Sequence, residues 1–166
     1  MASRADTGAG DPGRLYEQFG PALHRYALMI LANRQDSEDA IQQVFLAFVR
    51  RGAAHLDSPE AYLRTAVRNE CFSMLRRRRD TPVDTSATLI EPVSPGDDHP
   101  EERLALEAAL RELPPDQREV VHLKIFEGLT FQEIANLTYE SINTIASRCR
   151  YAMTKLRAVL DGGTND

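Results

Sequence analysis

A stretch of small polar and basic residues near the C-terminus has the composition of a helix that reads DNA. From Ser141 to Leu160 the chain contains four basic residues and no acid. At about 100° per residue, Asn143, Ser147 and Arg150 share one side of a helix, opposite an apolar stripe. Early polar side chains on such a helix reach base edges in a major groove, and later cations meet phosphates. The candidate DNA contacts are Ser141, Asn143, Thr144, Ala146, Ser147, Arg148 and Arg150.

The alternative for this stretch is an ordinary surface helix whose cations oppose the dipole of its own C-terminal end. The residues before it favour DNA binding, because they predict a short capped helix and a tight turn. Thr130 and Glu133 have the spacing of a capping box, and Ser141 is a good N-cap for the second helix. The predicted unit is therefore a helix-turn-helix. Its second helix is expected to bury Ile145, Cys149, Ala152, Leu156, Val159 and Leu160.

A second basic cluster lies on a helix that is predicted to begin at Ser58-Pro59-Glu60, an N-cap followed by proline and an acid. The helix ends in four consecutive arginines, which is more than its terminal dipole requires. Contact with phosphates explains these arginines better than a solvated tail does. The basic and amide residues off its apolar stripe are Arg64, Arg68, Asn69, Arg76, Arg77, Arg78 and Arg79.

The preceding helix, predicted to be capped by Asp36 or Ser37, has two different faces. Its apolar stripe is made by Ile41, Val44, Phe45, Phe48 and Val49. The other face is polar and acidic, and is either a solvated surface or a docking face for a protein partner. The polar face contains Asp36, Asp39, Gln42, Gln43 and Leu46.

The charge of the chain is unevenly distributed. A net charge of −5 argues against a protein that coats nucleic acid along its whole surface. Residues 50–79, however, contain eight basic residues and three acids, whereas residues 81–102 contain six acids and no base. Two positive stretches separated by a negative one indicate two surfaces that face nucleic acid and are joined by a strap.

Several other functional classes lack support in the sequence. The apolar runs are too short to cross a bilayer and the N-terminus does not have the pattern of a signal peptide, so a cytoplasmic protein is expected. Cys71 and Cys149 are expected to be buried, reduced thiols. The four histidines are scattered, with no metal cluster, phosphate loop or nucleophile signature. We therefore expect no enzymatic activity, no cofactor and no metal.

Composition also divides the chain into segments. Residues 1–13 are expected to be disordered and residues 14–80 to form a first helical domain. Residues 81–100 contain four prolines and no periodic pattern, which predicts a flexible acidic linker. Residues 101–160 are expected to form a second helical domain, followed by a tail at 161–166. The predicted fold class is all-α, with two small helical domains.

Proline and glycine place further boundaries inside both domains. Gly20-Pro21 is expected to interrupt the first helix, with Pro21 starting a new one. In the second domain a helix is expected to open at Pro100 and to be broken at Pro114-Pro115. The next helix is predicted over residues 116–126, with Gly128 as its left-handed cap.

Taken together, these motifs resemble a bacterial RNA polymerase sigma factor of the sigma-70 family, of the compact extracytoplasmic-function (ECF) type. DSEDAIQQVFLAFVR (36–50) is similar to the family's region 2, and SPEAYLRTAVRNECFSMLRRRR (58–79) to the rest of that region. Residues 110–157, which include the helix-turn-helix, are similar to region 4. The order of the three motifs, with a linker between them, makes the resemblance specific.

The resemblance implies a subunit that binds core RNA polymerase and directs promoter-specific initiation. The family's region 2 docks on the clamp helices of the largest subunit, which implies that role for Asp36, Asp39, Gln42, Gln43 and Phe45. Its arginine-rich helix would contact the −10 element, and residues 50–57 would hold an extruded base. Region 4 would read the −35 element as duplex. The polymerase flap and an anti-sigma factor are further implied partners, and the linker would pass near the RNA path.

Three positions depart from the family pattern. Tyr139 stands where a glycine is usual in the turn, so either the turn is remodelled or Tyr139 packs on the first helix. Tyr62 stands where many relatives have tryptophan, and Cys149 where tyrosine is frequent. One rival hypothesis is an operator-binding regulator with no polymerase role, against which the arginine-rich helix argues. Another is an interaction module that mimics a sigma factor without using DNA.

Overall fold

The computed structural model describes residues 10–52, 56–78, 88–90 and 99–162. Every regular element within these ranges is helical, so the predicted all-α class is confirmed. The chain divides into two compact units, Met1–Asp84 and Thr85–Asp166. None of the described helices has the length and apolarity needed to cross a bilayer.

Three helices form the first unit: α1 (Pro12–Leu31), α2 (Arg34–Arg51) and α3 (Pro59–Arg77). Each helix packs against the other two, because each has an apolar stripe that must be covered. Since the chain has no tryptophan, Tyr26 and Phe48 are the largest side chains in this core. The fully buried side chains also include Ile30, Ile41, Leu63 and Val67.

Helix α1 is continuous, so the expected interruption at Gly20-Pro21 is wrong. Proline removes one backbone donor from the helix interior, which normally favours a break. Here Leu15 and Leu23, on either side of the proline, are both buried in the core. Packing on both sides therefore outweighs the local preference. Pro12 and Gly13, which were expected to be disordered, form the first turn of α1, and residues 1–9 lie outside the described residues.

Helix α2 begins earlier than predicted, and its cap is neither Asp36 nor Ser37. Asn33 is the N-cap, because its Oδ1 accepts a hydrogen bond from the Asp36 N–H at 2.8 Å. Asparagine caps helices as well as aspartate or serine does, so local sequence could not choose among the three. The helix continues to Arg51, which places the first two residues of the predicted loop 50–57 in α2. Residues 53–55 of that loop lie outside the described residues.

Helix α3 begins as predicted. The Ser58 Oγ accepts from the Ala61 N–H at 3.3 Å, and Pro59 occupies the first turn. The helix ends at Arg77, and Arg78 follows as its C-cap. Arg79 lies outside the described residues. The arginine run therefore extends beyond the last turn of the helix.

Four helices form the second unit: α4 (Pro100–Glu112), α5 (Pro115–Val121), α6 (Phe131–Thr138) and α7 (Ile142–Gly162). The long helix α7 packs against the other three and is the centre of the unit. The predicted start at Pro100 and the predicted break at Pro114-Pro115 are confirmed. The buried core includes Leu110, Val120, Leu123, Ile134, Ile145 and Ala152.

A π-helical turn, His122–Phe126, joins α5 to the loop before α6. The predicted single helix over 116–126 is therefore correct only for its first part. The wider turn leaves Leu123 buried but Ile125 and Phe126 exposed. Gly128 has φ of 71°, so the predicted left-handed glycine is confirmed.

Part of the predicted linker belongs to the folded second unit. Leu89 and Ile90 are buried, and the Leu89 N–H donates to the Glu107 carboxylate at 2.8 Å. The same carboxylate oxygen accepts from Arg111 at 3.0 Å. Two apolar residues in an acidic, proline-rich stretch have no periodicity, so the pattern gave no signal for this contact.

Three apolar residues predicted to be buried are exposed instead. Val49 is 56% exposed, Val159 37% and Leu160 40%. All three lie in the last turns of their helices, where the apolar period continues but the side chains stay partly uncovered. Periodicity identifies the face of a helix but not how far along that face packing extends.

Candidate nucleic-acid interface

The helix-turn-helix is held by side-chain caps at the start of both of its helices. The Thr130 Oγ1 accepts from the Glu133 N–H at 3.1 Å, and the Glu133 carboxylate accepts from the Thr130 N–H at 2.9 Å. The Ser141 Oγ accepts from the Thr144 N–H at 3.1 Å. Both predicted caps are confirmed. They satisfy backbone donors that have no partner within the helix, and they fix where each helix begins.

Helix α7 has a buried face and an accessible polar face. Ile145, Cys149, Ala152 and Leu156 are buried, as the period predicts. Burial raises the pKa of the Cys149 thiol, which the nearby Lys124 opposes. Ser141, Asn143 and Arg150 are exposed, and the remaining predicted contacts are half-buried. These half-buried residues are Thr144, Ala146, Ser147 and Arg148.

Arg148 differs from the other predicted DNA contacts because two acids already bind it. Its Nε lies 3.2 Å from the Asp116 carboxylate, and its Nη2 lies 3.2 Å from the Glu140 carboxylate. The Arg148 side chain is 22% exposed. The guanidinium therefore links the first turn of α5, the turn before α7 and α7 itself. Sequence reasoning missed Asp116, since only the fold brings it close.

A buried arginine, Arg118, supports the same corner. Arg118 donates to the Leu113 carbonyl at 2.5 Å and to the Arg111 carbonyl at 3.3 Å. Burial lowers the pKa of Arg118 to about 10, and the neighbouring Asp116 partly opposes that shift. Arg118 thereby ties the end of α4 to α5. Asp116, which pairs with Arg148, therefore lies at the start of a helix that Arg118 holds against the end of α4.

The turn of the helix-turn-helix keeps the left-handed geometry that glycine usually supplies. Tyr139 is the C-cap of α6, with φ of 57° and ψ of 30°, and its N–H donates to the Ala135 carbonyl. The side chain is 86% exposed. The alternative that Tyr139 packs on the first helix is therefore wrong, and the turn is not remodelled.

The outer face of α3 carries part of the predicted −10 contacts. Asn69 and Arg76 are exposed, and Arg68 is half-buried. The Arg68 guanidinium lies 4.7 Å from the centroid of the Phe72 ring, which is a cation–π contact. Sequence reasoning missed Phe72. The sequence could have predicted this contact, because Phe72 follows Arg68 by four residues and such residues are neighbours on a helix.

The remaining predicted −10 arginines have acidic neighbours. Arg64 lies 3.6 Å from Glu60, and Arg77 lies 3.1 Å from Glu70. Arg78 pairs with Asp36, so a predicted DNA contact and a predicted polymerase contact bind each other. The pairs with Glu60 and Glu70 are partly exposed and contribute little stability, so a phosphate could replace either acid at small cost.

The predicted docking face of α2 is only partly accessible. Gln42 and Gln43 are exposed, and Asp39 is half-buried and accepts from Gln35 at 3.0 Å. Asp36 is buried. Phe45 is also buried, and its ring makes an edge contact with Tyr16 at 5.1 Å between centroids. The accessible part of the face therefore extends from the glutamines towards the C-terminal end of α2.

A surface cavity of about 560 Å³ lies beside these glutamines. Sequence reasoning missed its contributions from α1, because the polar face was defined on α2 alone. Burial lowers the pKa of His24, and the charge of Glu38 opposes that shift. The cavity is lined by Tyr16, His24, Glu38, Ile41, Gln42, Phe45, Leu46 and Val49.

Comparison with protein families gives two matches in the order of the two units. Residues 15–81 match the model for Sigma-70 region 2, and residues 103–156 match the model for Sigma-70, region 4. The matched ranges contain α2, α3, α5 and α6, together with most of α1, α4 and α7.

The individual relatives of the chain are also sigma factors. The ECF RNA polymerase sigma factor EcfG of Rhodopseudomonas palustris is 30% identical, over 84% of this chain and 80% of that protein. The RNA polymerase sigma factor CarQ of Myxococcus xanthus is 29% identical, over 88% of this chain and 87% of that protein. The sigma factor RpoE of Bartonella quintana, solved in complex with the anti-sigma factor NepR, has a TM-score of 0.68 at 26% identity. The match covers 94% of this chain and 99% of that chain.

The chain belongs to the sigma-70 family of bacterial transcription initiation factors. Within that family it is a sigma factor of the ECF group. It binds core RNA polymerase and promoter DNA, and it directs initiation at specific promoters. The rival hypothesis of an operator-binding regulator is set aside, because the region 2 match covers most of the first unit, residues 15–81.

Proposed function

We propose that this sigma factor reads the −35 element with the outer face of α7. The main support is that the polar N-terminal half of α7 is accessible while caps fix the start of the helix. Small polar side chains there would reach base edges, and Arg150 would bind a phosphate. Arg148 would act by holding α7 in place. The proposed direct contacts are Ser141, Asn143, Thr144, Ala146, Ser147 and Arg150.

The outer face of α3 is proposed to bind the −10 element. Arg68, Asn69 and Arg76 would contact the backbone and bases of the opened strand. Phe72 adds a ring on which an unstacked base could stack, and such stacking is worth about 1–3 kcal/mol per base. Arg64 and Arg77 would exchange their acidic partners for phosphates, and Arg78 would bind a phosphate while it stays paired with Asp36. Arg79 and residues 50–57 complete the predicted site, the latter as the pocket for an extruded base.

Docking on the clamp helices of the largest polymerase subunit is proposed for α2. Gln42 and Gln43 offer accessible amides, and Leu46 is 44% exposed beside the cavity. A polar rim around an apolar depression suits a protein partner. Asp39 would lie at the edge of this contact. Asp36 and Phe45 are buried and would support the docking face from inside the protein. Asp36 would do so through its pair with Arg78, and Phe45 by lining the cavity.

Two further partners are proposed. The polymerase flap is a contact that the family resemblance implies for this chain. An anti-sigma factor is proposed because the RpoE relative was solved with one, at 26% identity over nearly the whole chain. A non-enzymatic role in the cytoplasm, with no cofactor or metal, completes the proposal.

Run-off transcription with purified core polymerase and genomic fragments tests this assignment. Transcripts that start at defined sites only when the chain is added are the expected result. Arg150→Glu is expected to abolish −35-dependent starts, whereas Arg157→Glu, on the same helix and also exposed, is the matched control. Leu46→Asp is expected to prevent assembly with core polymerase. A chain that neither joins the core enzyme nor starts transcripts would contradict the proposal.

A further inference from the structure

Tyr139 is a bulky residue in a backbone conformation that favours glycine. Its φ of 57° and ψ of 30° lie in the left-handed region, where a side chain crowds its own backbone. Only one other non-glycine residue in the described ranges has positive φ, Ala32, with φ of 49°. Both residues end a helix, so their environments can be compared directly.

The two residues differ in what their side chains contact. Ala32 is 9% exposed, so its methyl group packs in the core and offsets the unfavourable conformation. Tyr139 is 86% exposed and, within the described part of the chain, its side chain has no hydrogen bond or ring contact. Packing inside the protein therefore does not offset the strain at Tyr139. Uncompensated strain of this kind occurs mainly at functional sites.

The position of Tyr139 relates it to the start of the reading helix. It lies two residues before the Ser141 cap, which places its Cα within about 7.6 Å of the Ser141 Cα. The next residue, Glu140, is held by Arg148 at 3.2 Å. The turn that carries Tyr139 is thus fixed to the same helix whose N-terminal half is proposed to enter the major groove.

We propose that Tyr139 is a DNA contact: its hydroxyl donates to a backbone phosphate beside the −35 element, and its ring lies against the adjoining sugar. The inference rests on the proposed function of α7. Tyrosine is a common phosphate donor, and contacts of this type fix the register of a protein on the duplex without reading bases. Because the tyrosine hydroxyl is neutral, this contact releases no counterion.

The test uses holoenzyme and a promoter fragment identified by run-off transcription with the wild-type chain. Tyr139→Phe is expected to weaken binding about tenfold and Tyr139→Gly, which also loses the ring, by more than that, in both cases uniformly across base changes in the −35 element. The dependence of affinity on salt should keep its slope, whereas Arg150→Gln should reduce that slope by about one. Ethylation of one phosphate should interfere with wild-type binding but not with Tyr139→Phe. Tyr151→Phe, 58% exposed on α7, is the matched control.

The thermal midpoint of the Tyr139 variants distinguishes a DNA-binding role of Tyr139 from a structural role. Tyr139→Gly is expected to raise the thermal midpoint of the full chain while lowering promoter affinity, because glycine adopts the left-handed conformation freely. A lower midpoint, unchanged affinity of both Tyr139 variants or an unchanged ethylation pattern would each overturn the inference. If Arg150→Gln still weakens binding in that case, the proposed function of α7 stands. If neither position affects binding, the proposed function fails as well.

Discussion

Replacing Arg148 by glutamine tests whether this arginine holds the reading helix in place. The change removes two ion pairs of 3.2 Å, to Asp116 and to Glu140. It keeps a polar side chain but removes the charge and shortens the side chain by two atoms. Arg157→Gln is the matched control, because Arg157 is exposed on the same helix and has no ion pair within the described residues.

The size of the effect follows from the exposure of the three groups. Arg148 is 22% exposed, but both acids are 40% exposed, so solvent screens the pairs and the loss resembles that of surface ion pairs. Such pairs contribute about 0.2–1 kcal/mol each. We therefore expect Arg148→Gln to cost about 1 kcal/mol. For a unit of this size that loss lowers the midpoint of thermal unfolding by about 4–8 °C.

Thermal unfolding followed by circular dichroism measures this loss, and a double-mutant cycle with Asp116→Asn assigns it to the pair. The two single changes should not add, because either one removes the same contact. The effect should also shrink in high salt. Unchanged stability in Arg148→Gln, together with a lower salt slope for promoter binding, would refute the reasoning. Arg148 would then be a phosphate ligand instead.

Three further changes test other parts of the fold. Thr130→Ala removes one half of the capping box and should cost about 1 kcal/mol in the denaturant-unfolding free energy of the chain. Burial lowers the pKa of His24 from its ordinary value of 6.5, because the folded protein favours the neutral imidazole. The stability of the protein is therefore greatest above pH 6.5 and falls as lower pH protonates His24. His24→Gln should therefore reduce the difference in thermal midpoint between pH 7 and pH 5. Arg78→Gln should lower the midpoint because it leaves Asp36 buried without this partner, whereas Arg76→Gln, exposed and without an ion pair in the described ranges, should not.

Local signals predicted the helix-turn-helix closely. The capping box at Thr130 and Glu133, the cap at Ser141 and the left-handed Gly128 depend only on neighbouring residues, and all three were correct. The apolar period of α7 also identified its buried face. These features are visible in sequence because the groups that interact lie within one turn of each other.

Features that depend on contacts between distant residues could not be predicted in this way. The continuity of α1 through Pro21 follows from packing on both sides of the proline. The backbone N–H of the buried Leu89 donates to Glu107, and no periodic pattern in the sequence predicts this contact. The acids around Arg148 are also brought together by the fold. At the proposed interfaces, sequence therefore located the cations but not the acids that neutralise them.

This neutralisation has a consequence for DNA binding by the chain alone. Arg64, Arg77 and Arg78 each have an acidic partner within the chain. A phosphate must compete with that acid for the arginine, and the net charge of −5 opposes the approach of DNA. We therefore expect the free chain to bind promoter duplex no more tightly than proteins bind non-specific DNA, with Kd of about 10⁻⁴–10⁻⁶ M at physiological salt.

Polymerase would change this balance by supplying binding energy of its own and by holding both units on one promoter. Affinity for the promoter fragment should thus rise steeply when core enzyme is added, while fluorescence anisotropy of the free chain with labelled duplex shows only weak, salt-sensitive binding. Tight, salt-resistant binding by the free chain would mean that the internal acids do not compete with phosphate. The ion pairs at the proposed −10 interface would then be incidental to promoter recognition.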